Sequence, residues 1–171
     1  MRKILAIDIG TTNVKAAIFD EQGKTISLAR TEVSIHSPAP GSAVQHLDEL
    51  YEATIKSSKS AVSMAHIGKV DVVAFSGQMH GLGAINDKGK EVLPLVTFLD
   101  TRPAIAYEKL AKMVDSYRLY ENTGCPPLFI YPLTKLIWLS LTMPNIIKKA
   151  KWFVSAKDYV MYKILGEPYI D

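Results

Sequence analysis

Cysteine is nearly missing from this chain. Cys125 is the single one in 171 residues, which excludes an internal disulfide and suits a reducing compartment. No apolar run reaches the length of a membrane span. The longest, Leu128–Met143, is interrupted by Pro132 and Lys135, and no signal peptide precedes the first apolar run. These absences lead to the expectation of a cytoplasmic protein without a membrane partner. There is also little excess charge. A net charge of +3 is too small to argue for nucleic acid, and Lys148-Lys149-Ala150-Lys151 reads as a solvated helix end. Internal repeats and low-complexity segments are lacking. So are the two commoner phosphate motifs, GxxxxGK[ST] and a GxGxxG leading into a helix. What remains is a chain that is 48% hydrophobic and 22% charged, a folded composition at the length of one ordinary domain.

The densest chemistry lies in Met1–Asp20. Ile4–Ile9 is apolar at every position except Asp8, which predicts a strand buried on both faces. An ionised carboxylate there is costly unless a cation or hydrogen-bond donors meet it. Gly10-Thr11-Thr12-Asn13 follows as a tight turn, and a second apolar run, Val14–Phe19, closes at Asp20-Glu21-Gln22-Gly23. The unit is a β-hairpin whose tip carries an acid, a glycine and two threonines. Such a tip can cradle a phosphate beside a magnesium-holding carboxylate, or it can be an ordinary Asx-type turn.

Onward, Lys24–Ser34 predicts a third strand, and Ser37–Ser42 a loop rich in proline and glycine. Leu47, Leu50, Tyr51, Thr54, Ile55, Ser58, Ala61, Val62 and Ala65 recur at helical spacing, predicting about five turns stopped by Gly68. Val70–Ser76 is nearly all apolar and reads as a central strand, so the helix before it implies a parallel crossover. A short strand Gly83–Asn86, a turn Asp87–Lys90 and a returning strand Val92–Leu99 come next. Pro103 can open a helix with Ile105, Leu110, Met113, Val114 and Tyr117 on its inner face. Thr123–Pro127 reads as a loop. Short helices at Leu133–Leu141 and Pro144–Ala150, a strand at Trp152–Val154 and a helix Lys157–Leu165 stopped by Gly166 complete the chain.

Two further motifs stand at strand ends. Ser76-Gly77-Gln78-Met79-His80-Gly81 lies at the carboxyl end of a predicted strand, the edge where open α/β sheets bind ligands. Gln78 and His80 can each donate or accept there, or the segment is a surface turn with an incidental histidine. In Asp100-Thr101-Arg102-Pro103, Asp100 and Arg102 either pair with each other or offer an acceptor and a forked donor to a polyol.

Together these stretches resemble a family. Ile7-Asp8-Ile9-Gly10-Thr11-Thr12-Asn13-Val14-Lys15 is similar to the first phosphate loop of the FGGY carbohydrate kinases, whose fold is of the actin-like, ribonuclease-H-like superfamily. Heat-shock chaperone ATPases carry a similar loop, so it marks only the superfamily. Ser76-Gly77-Gln78-Met79-His80-Gly81-Leu82 is more specific and resembles the xylulokinase branch. Asp100-Thr101-Arg102, Thr123–Pro127, Pro132–Leu139, Lys157–Val160 and Gly166-Glu167 resemble the segments that follow, so the likeness spans essentially the whole chain.

The resemblance implies an α/β domain with a mixed central sheet flanked by helices, and ATP-dependent phosphorylation of a sugar or polyol hydroxyl, D-xylulose first. It implies ATP and Mg²⁺ as cofactors. Asp8 would be catalytic and hold Mg²⁺; Gly10, Thr11 and Thr12 would approach the phosphates; Gln78, Met79, His80, Asp100 and Arg102 would line the sugar pocket. Lys15 would be structural or act as a long-range charge. Two departures are visible: Phe98-Leu99 stands where the family usually has a tryptophan, which leaves the sugar open, and His46-Leu47 stands where an acidic residue and a proline usually open the long helix. Family members are longer, two-domain proteins. The resemblance therefore makes residues 1–171 an amino-terminal domain, with the general base and the adenosine-binding domain beyond Asp171. Apolar surface left by that truncation would favour self-association into a homo-oligomer. Two alternatives are a metal-dependent nuclease of the same fold (Holliday-junction-resolvase type), which needs clustered carboxylates, and a non-catalytic sugar-sensing module.

Overall fold

The computed structural model describes residues 2–169. The elements run β1 (Ile4–Ile9), β2 (Asn13–Phe19), β3 (Thr25–Glu32), β4 (Val44–Gln45), α1 (Leu47–Met64), β5 (Val72–Gly77), β6 (Leu82–Ile85), β7 (Glu91–Val96), a 3-10 turn at Arg102–Ala106, α2 (Tyr107–Met113), α3 (Ser116–Thr123), α4 (Pro132–Thr142), α5 (Pro144–Lys149), β8 (Trp152–Val154) and α6 (Ala156–Leu165). They divide into two compact units: residues 1–35, 45–79 and 155–171 form one, and residues 36–44 and 80–154 the other.

The first unit is built on a sheet of order β3-β2-β1-β5. β1 pairs antiparallel with β2, setting Asp8 opposite Lys15, and parallel with β5, setting Asp8 opposite Ser76. The parallel crossover expected from the helix between two apolar runs is present, with α1 as the crossing element. Burial along β1 alternates rather than covering both faces: Leu5, Ile7 and Ile9 are buried, while Ile4, Ala6 and Asp8 are only partly covered. β5 is an edge strand of its sheet, not a central one, and its Val72 and Val73 are exposed. A continuous apolar run cannot distinguish a covered strand from one whose cover is not supplied by the described residues.

α1 packs its Leu47, Leu50, Ala53 and Ala61 face on this sheet. Two hydroxyls tie them together: Ser57 Oγ donates to the Val14 carbonyl at 3.1 Å, and Ser27 Oγ to the Ala61 carbonyl at 2.7 Å. The helix starts at His46 without a side-chain cap, but Asp48 and Glu49 in its first turn suit the positive end of the helix dipole. It ends before Gly68, at Ala65, where His66 takes the left-handed turn at φ 52°. α6 begins with a capping box: Ser155 Oγ accepts from Asp158 N–H at 3.2 Å and Asp158 Oδ2 from Ser155 N–H at 2.8 Å. It ends at Gly166, whose φ of 82° is the left-handed closure glycine permits. Tyr159 and Lys163 of α6 both donate to Asp48 Oδ1 of α1, at 2.5 and 3.0 Å.

The second unit carries a sheet of order β4-β7-β6-β8. Opposite Pro94, which has no N–H for the ladder, the β6–β7 register shifts by one residue: Leu82 faces Val96, but Ala84 faces Leu93. Val44, Leu82, Ala84, Leu93, Val96, Ala106, Leu110, Ile137, Trp138 and Leu139 form its core. The helix expected from Pro103 to Tyr117 is broken into the 3-10 turn, α2 and α3, with Asp115 capping α3 through the N–H groups of Tyr117 and Arg118. Of its expected inner face only Leu110 is buried; Ile105, Met113 and Tyr117 are exposed. Val114 leaves helical geometry because the Asp115 cap offers the backbone a competing partner.

Candidate active site

In the first unit the hairpin tip is held from behind. Gly10 N–H donates to the Asn13 carbonyl at 3.0 Å. A Cβ at Gly10 would lie 2.9 Å from that same oxygen, so only glycine closes this turn without moving backbone. The Thr12 carbonyl accepts from Val33 N–H at 3.0 Å. Fully buried Gln45 donates through Nε2 to the Thr11 carbonyl at 3.0 Å, and its Oε1 accepts from Gln78 Nε2 at 2.7 Å. Gln78 also reaches the Gly10 carbonyl at 3.4 Å, and its N–H donates to Ile9 O at 2.8 Å. A relay of two amides thus braces Gly10 and Thr11. Gln78 Oε1 is buried and, among the described residues, has no hydrogen-bond partner.

Asp8 stands at the mouth of this tip. Its side chain is 50% exposed, so the burial cost feared for a carboxylate inside an apolar strand does not arise. Lys15 Nζ lies 3.7 Å away, across the β1–β2 ladder. Among the described residues no three His, Cys, Asp or Glu side chains converge as a metal-binding group. The clustered carboxylates needed by the nuclease alternative are therefore not found there. Met79, at the chain end of this unit's segment, is strongly exposed.

In the second unit His80 is half-buried and adopts φ 64°, a left-handed backbone uncommon for a residue with a side chain. Its ring meets Tyr131 edge-on at 4.5 Å between centroids. Burial, and then the charge of Lys135, hold the imidazole below its ordinary pKa, so at neutral pH it is both donor and acceptor. A cavity of about 320 Å³ opens beside it, lined by Leu110, Cys125, Leu128, Tyr131 and Thr134 among others.

Asp100 is fully buried and belongs to Arg102. Arg102 Nε donates to its Oδ1 at 2.9 Å and Nη2 to its Oδ2 at 2.6 Å, while the backbone N–H groups of Arg102 and Ala43 add bonds of 3.1 and 3.0 Å. Of the two readings left open for Asp100 and Arg102, mutual pairing is the one the geometry displays. The Arg102 guanidinium also lies 5.0 Å from the centre of the Trp138 ring.

Two residues escaped the motif reading. Gln45 is one; its signal was a lone amide between apolar Val44 and Leu47. The other is Lys135, which the sequence shows as an interruption of an apolar run and as part of the Pro132–Leu139 stretch that resembles the family, without an assigned role. It is fully buried, and its ammonium donates to the carbonyls of His80, Val96 and Thr97 at 2.5, 2.8 and 2.9 Å. Burial pushes its pKa down to about 8, with the Asp100 charge acting in the other direction.

Known proteins resemble the chain along nearly its full length. A gluconokinase of Bacillus subtilis is 28% identical over 168 residues, covering 98% of this chain and 33% of that protein. A xylulose kinase of Staphylococcus xylosus is 30% identical over 173 residues, covering 100% of this chain and 35% of its own length. Among solved structures, a xylulose kinase from Rhodospirillum rubrum superposes with a TM-score of 0.93 at 20% identity, over 99% of this chain and 35% of that one, and so speaks for the fold. The chain thus spans about a third of the length of these relatives. Residues 3–171 match the description "FGGY family of carbohydrate kinases, N-terminal domain", and the expected actin-like α/β fold agrees with the structural likeness. The chain belongs to the FGGY family of carbohydrate kinases.

Proposed function

We propose that residues 1–171 serve as the amino-terminal, phosphate- and sugar-binding domain of a longer ATP-dependent kinase that phosphorylates a hydroxyl of D-xylulose, or failing that gluconate or another ketopentose. The observation that carries this reading is the hairpin tip: an acid, a glycine that no other residue replaces, and two threonines, with its carbonyls drawn back to Gln45, Gln78 and Val33. With the carbonyls engaged behind it, the tip offers a phosphate its hydroxyls rather than its negative dipole ends. Family membership and the xylulose kinase and gluconokinase relatives support the same reading.

Mg²⁺ ordinarily keeps several waters and takes one or two carboxylates together with substrate phosphates. A single half-exposed carboxylate at a phosphate tip fits that habit, so Asp8 is the residue that would hold it. When bound, the cation neutralises charge on the phosphates, and phosphoryl transfer depends mostly on such neutralisation and on positioning. Gly10, Thr11 and Thr12 receive the phosphates, and Lys15 tempers the Asp8 charge when the tip is empty. Met79 and His80 contact the sugar, His80 through a neutral imidazole, while Gln78, whose Oε1 is buried, acts through the tip it braces. Asp100 and Arg102 shape the pocket wall as a clamped pair.

A coupled assay of ADP release with ATP, Mg²⁺ and a panel of sugars tests this. The complete protein containing this domain should turn over D-xylulose with the highest kcat/KM, and the 171-residue chain alone should not turn over any sugar. Sugar-dependent ADP release by the isolated chain, abolished by Asp8→Asn, would refute the division of labour. Absence of release by the complete protein with every sugar would refute the kinase assignment.

A further inference from the structure

We propose that Lys135 is a positioning residue whose ammonium fixes the left-handed backbone of His80 against the turn that leads from β7 to Asp100. The consequence for sugar affinity rests on the function proposed above; the geometric part does not.

An ammonium has three N–H donors and no acceptor, and here three main-chain carbonyls use all three: His80 from the loop after β5, and Val96 and Thr97 from the end of β7. A fully buried charge in a core of Leu, Ile and Trp is otherwise unfavourable. If the core merely needed filling, methionine would fill it without that cost. The lysine is accounted for by what it joins. His80 has φ 64°, a conformation that costs a side-chain-bearing residue free energy and persists only when its surroundings impose it. One of the three bonds goes to the carbonyl of that very residue.

The neighbourhood agrees. Tyr131, the N-cap of α4, holds the His80 ring edge-on, and Trp138, about one turn beyond Lys135, carries the Arg102 guanidinium. α4 therefore presents, along one side, contacts to the His80 backbone, the His80 ring and the Asp100–Arg102 pair. Lys135 is the contact that sets the His80 backbone and the Val96-Thr97 segment in one register.

The test uses the 171-residue chain in solution. His80–Tyr131 ring NOEs and His80 ring shifts are recorded for wild type, Lys135→Met and Leu139→Ala. Leu139→Ala is a core control on the same helix, which removes apolar bulk from the same cluster and leaves the ammonium in place. Binding of D-xylulose and gluconate is titrated by NMR in the same samples. In Lys135→Met the ring contact should be lost and sugar Kd should rise at least about tenfold, with the first unit's resonances unchanged. In Leu139→Ala the contact should persist at comparable loss of Tm. An unaltered His80–Tyr131 contact in Lys135→Met, or equal loss in both variants, would overturn the proposal. Should Lys135→Met not fold, Lys135→Arg is read in its place: a planar fork cannot meet three converging carbonyls as an ammonium does, so displaced His80 shifts are expected and wild-type shifts would overturn the proposal. If wild type binds neither sugar, the sugar reading falls, and the ring contact still decides on Lys135.

Discussion

Replacing Asp100 with alanine separates a clamp from a ligand contact. The carboxylate is fully buried, and its two oxygens take four internal donors: Nε and Nη2 of Arg102, and the N–H groups of Arg102 and Ala43. Removing one member of a fully buried ion pair costs about 3–5 kcal/mol, but the Arg102 side chain is 26% exposed and water can recover part of its solvation. Leaving the buried Ala43 N–H unpaired adds about 1–3 kcal/mol. Discounting the first figure by about half for that exposure, a loss of about 2.5–5.5 kcal/mol is expected. With a urea m-value of about 1–3 kcal/mol/M for a chain this small, the unfolding midpoint should fall by roughly 1–5 M. Tryptophan fluorescence reads it directly, since Arg102 stacks on Trp138. Asp100→Asn, which keeps acceptor capacity, should lose less. If Asp100→Ala unfolds at the wild-type midpoint yet has lost sugar binding, Asp100 is a sugar contact and the clamp argument is wrong.

Asp8→Asn in the complete protein should lower turnover by at least about a hundredfold, because charge neutralisation dominates this chemistry; near-normal kcat with an unchanged melting curve would remove Asp8 from the metal role. Gly10→Ala places a methyl group 2.9 Å from a backbone oxygen, a steric cost of about 1–3 kcal/mol. ATP affinity measured by calorimetry should fall by about tenfold or more, and unchanged affinity would mean the tip is no phosphate cradle. The Tyr159 hydroxyl, opposed by burial and then assisted by Lys163, holds the Asp48 carboxyl below its ordinary pKa. A depressed folded-state pKa stabilises above the unfolded value and that share is lost as pH falls through the folded one. Wild type should therefore lose stability on acidification below about pH 4, and Tyr159→Phe should lose less over the same range; parallel urea midpoints from pH 5 to 2 would contradict this.

The residues of the hairpin tip were legible in the sequence because local chemistry suffices there: strand, glycine turn and strand follow from apolar runs and one backbone closure, whatever surrounds them. The same holds for α1, whose five turns follow from spacing, and for the glycine stop of α6; the Ser155 cap that opens α6 emerged only in the structure. Roles that depend on who sits opposite were not legible. Asp100 could be read as pocket or as partner, and only folding brings Ala43, fifty-seven positions earlier, to its carboxylate. Gln45 and Gln78 form one relay across thirty-three residues, a distance no motif spans. The apolar runs suggested burial on both faces for β1 and a central place for β5, but coverage depends on the strand's neighbours, and β1 alternates while β5 lies at an edge. Lys135 shows the division most plainly. In the sequence a lysine within Leu128–Met143 is a reason to doubt burial; in the structure three converging carbonyls make burial tenable, because carbonyl oxygens from two separate turns supply the solvation that water supplies elsewhere.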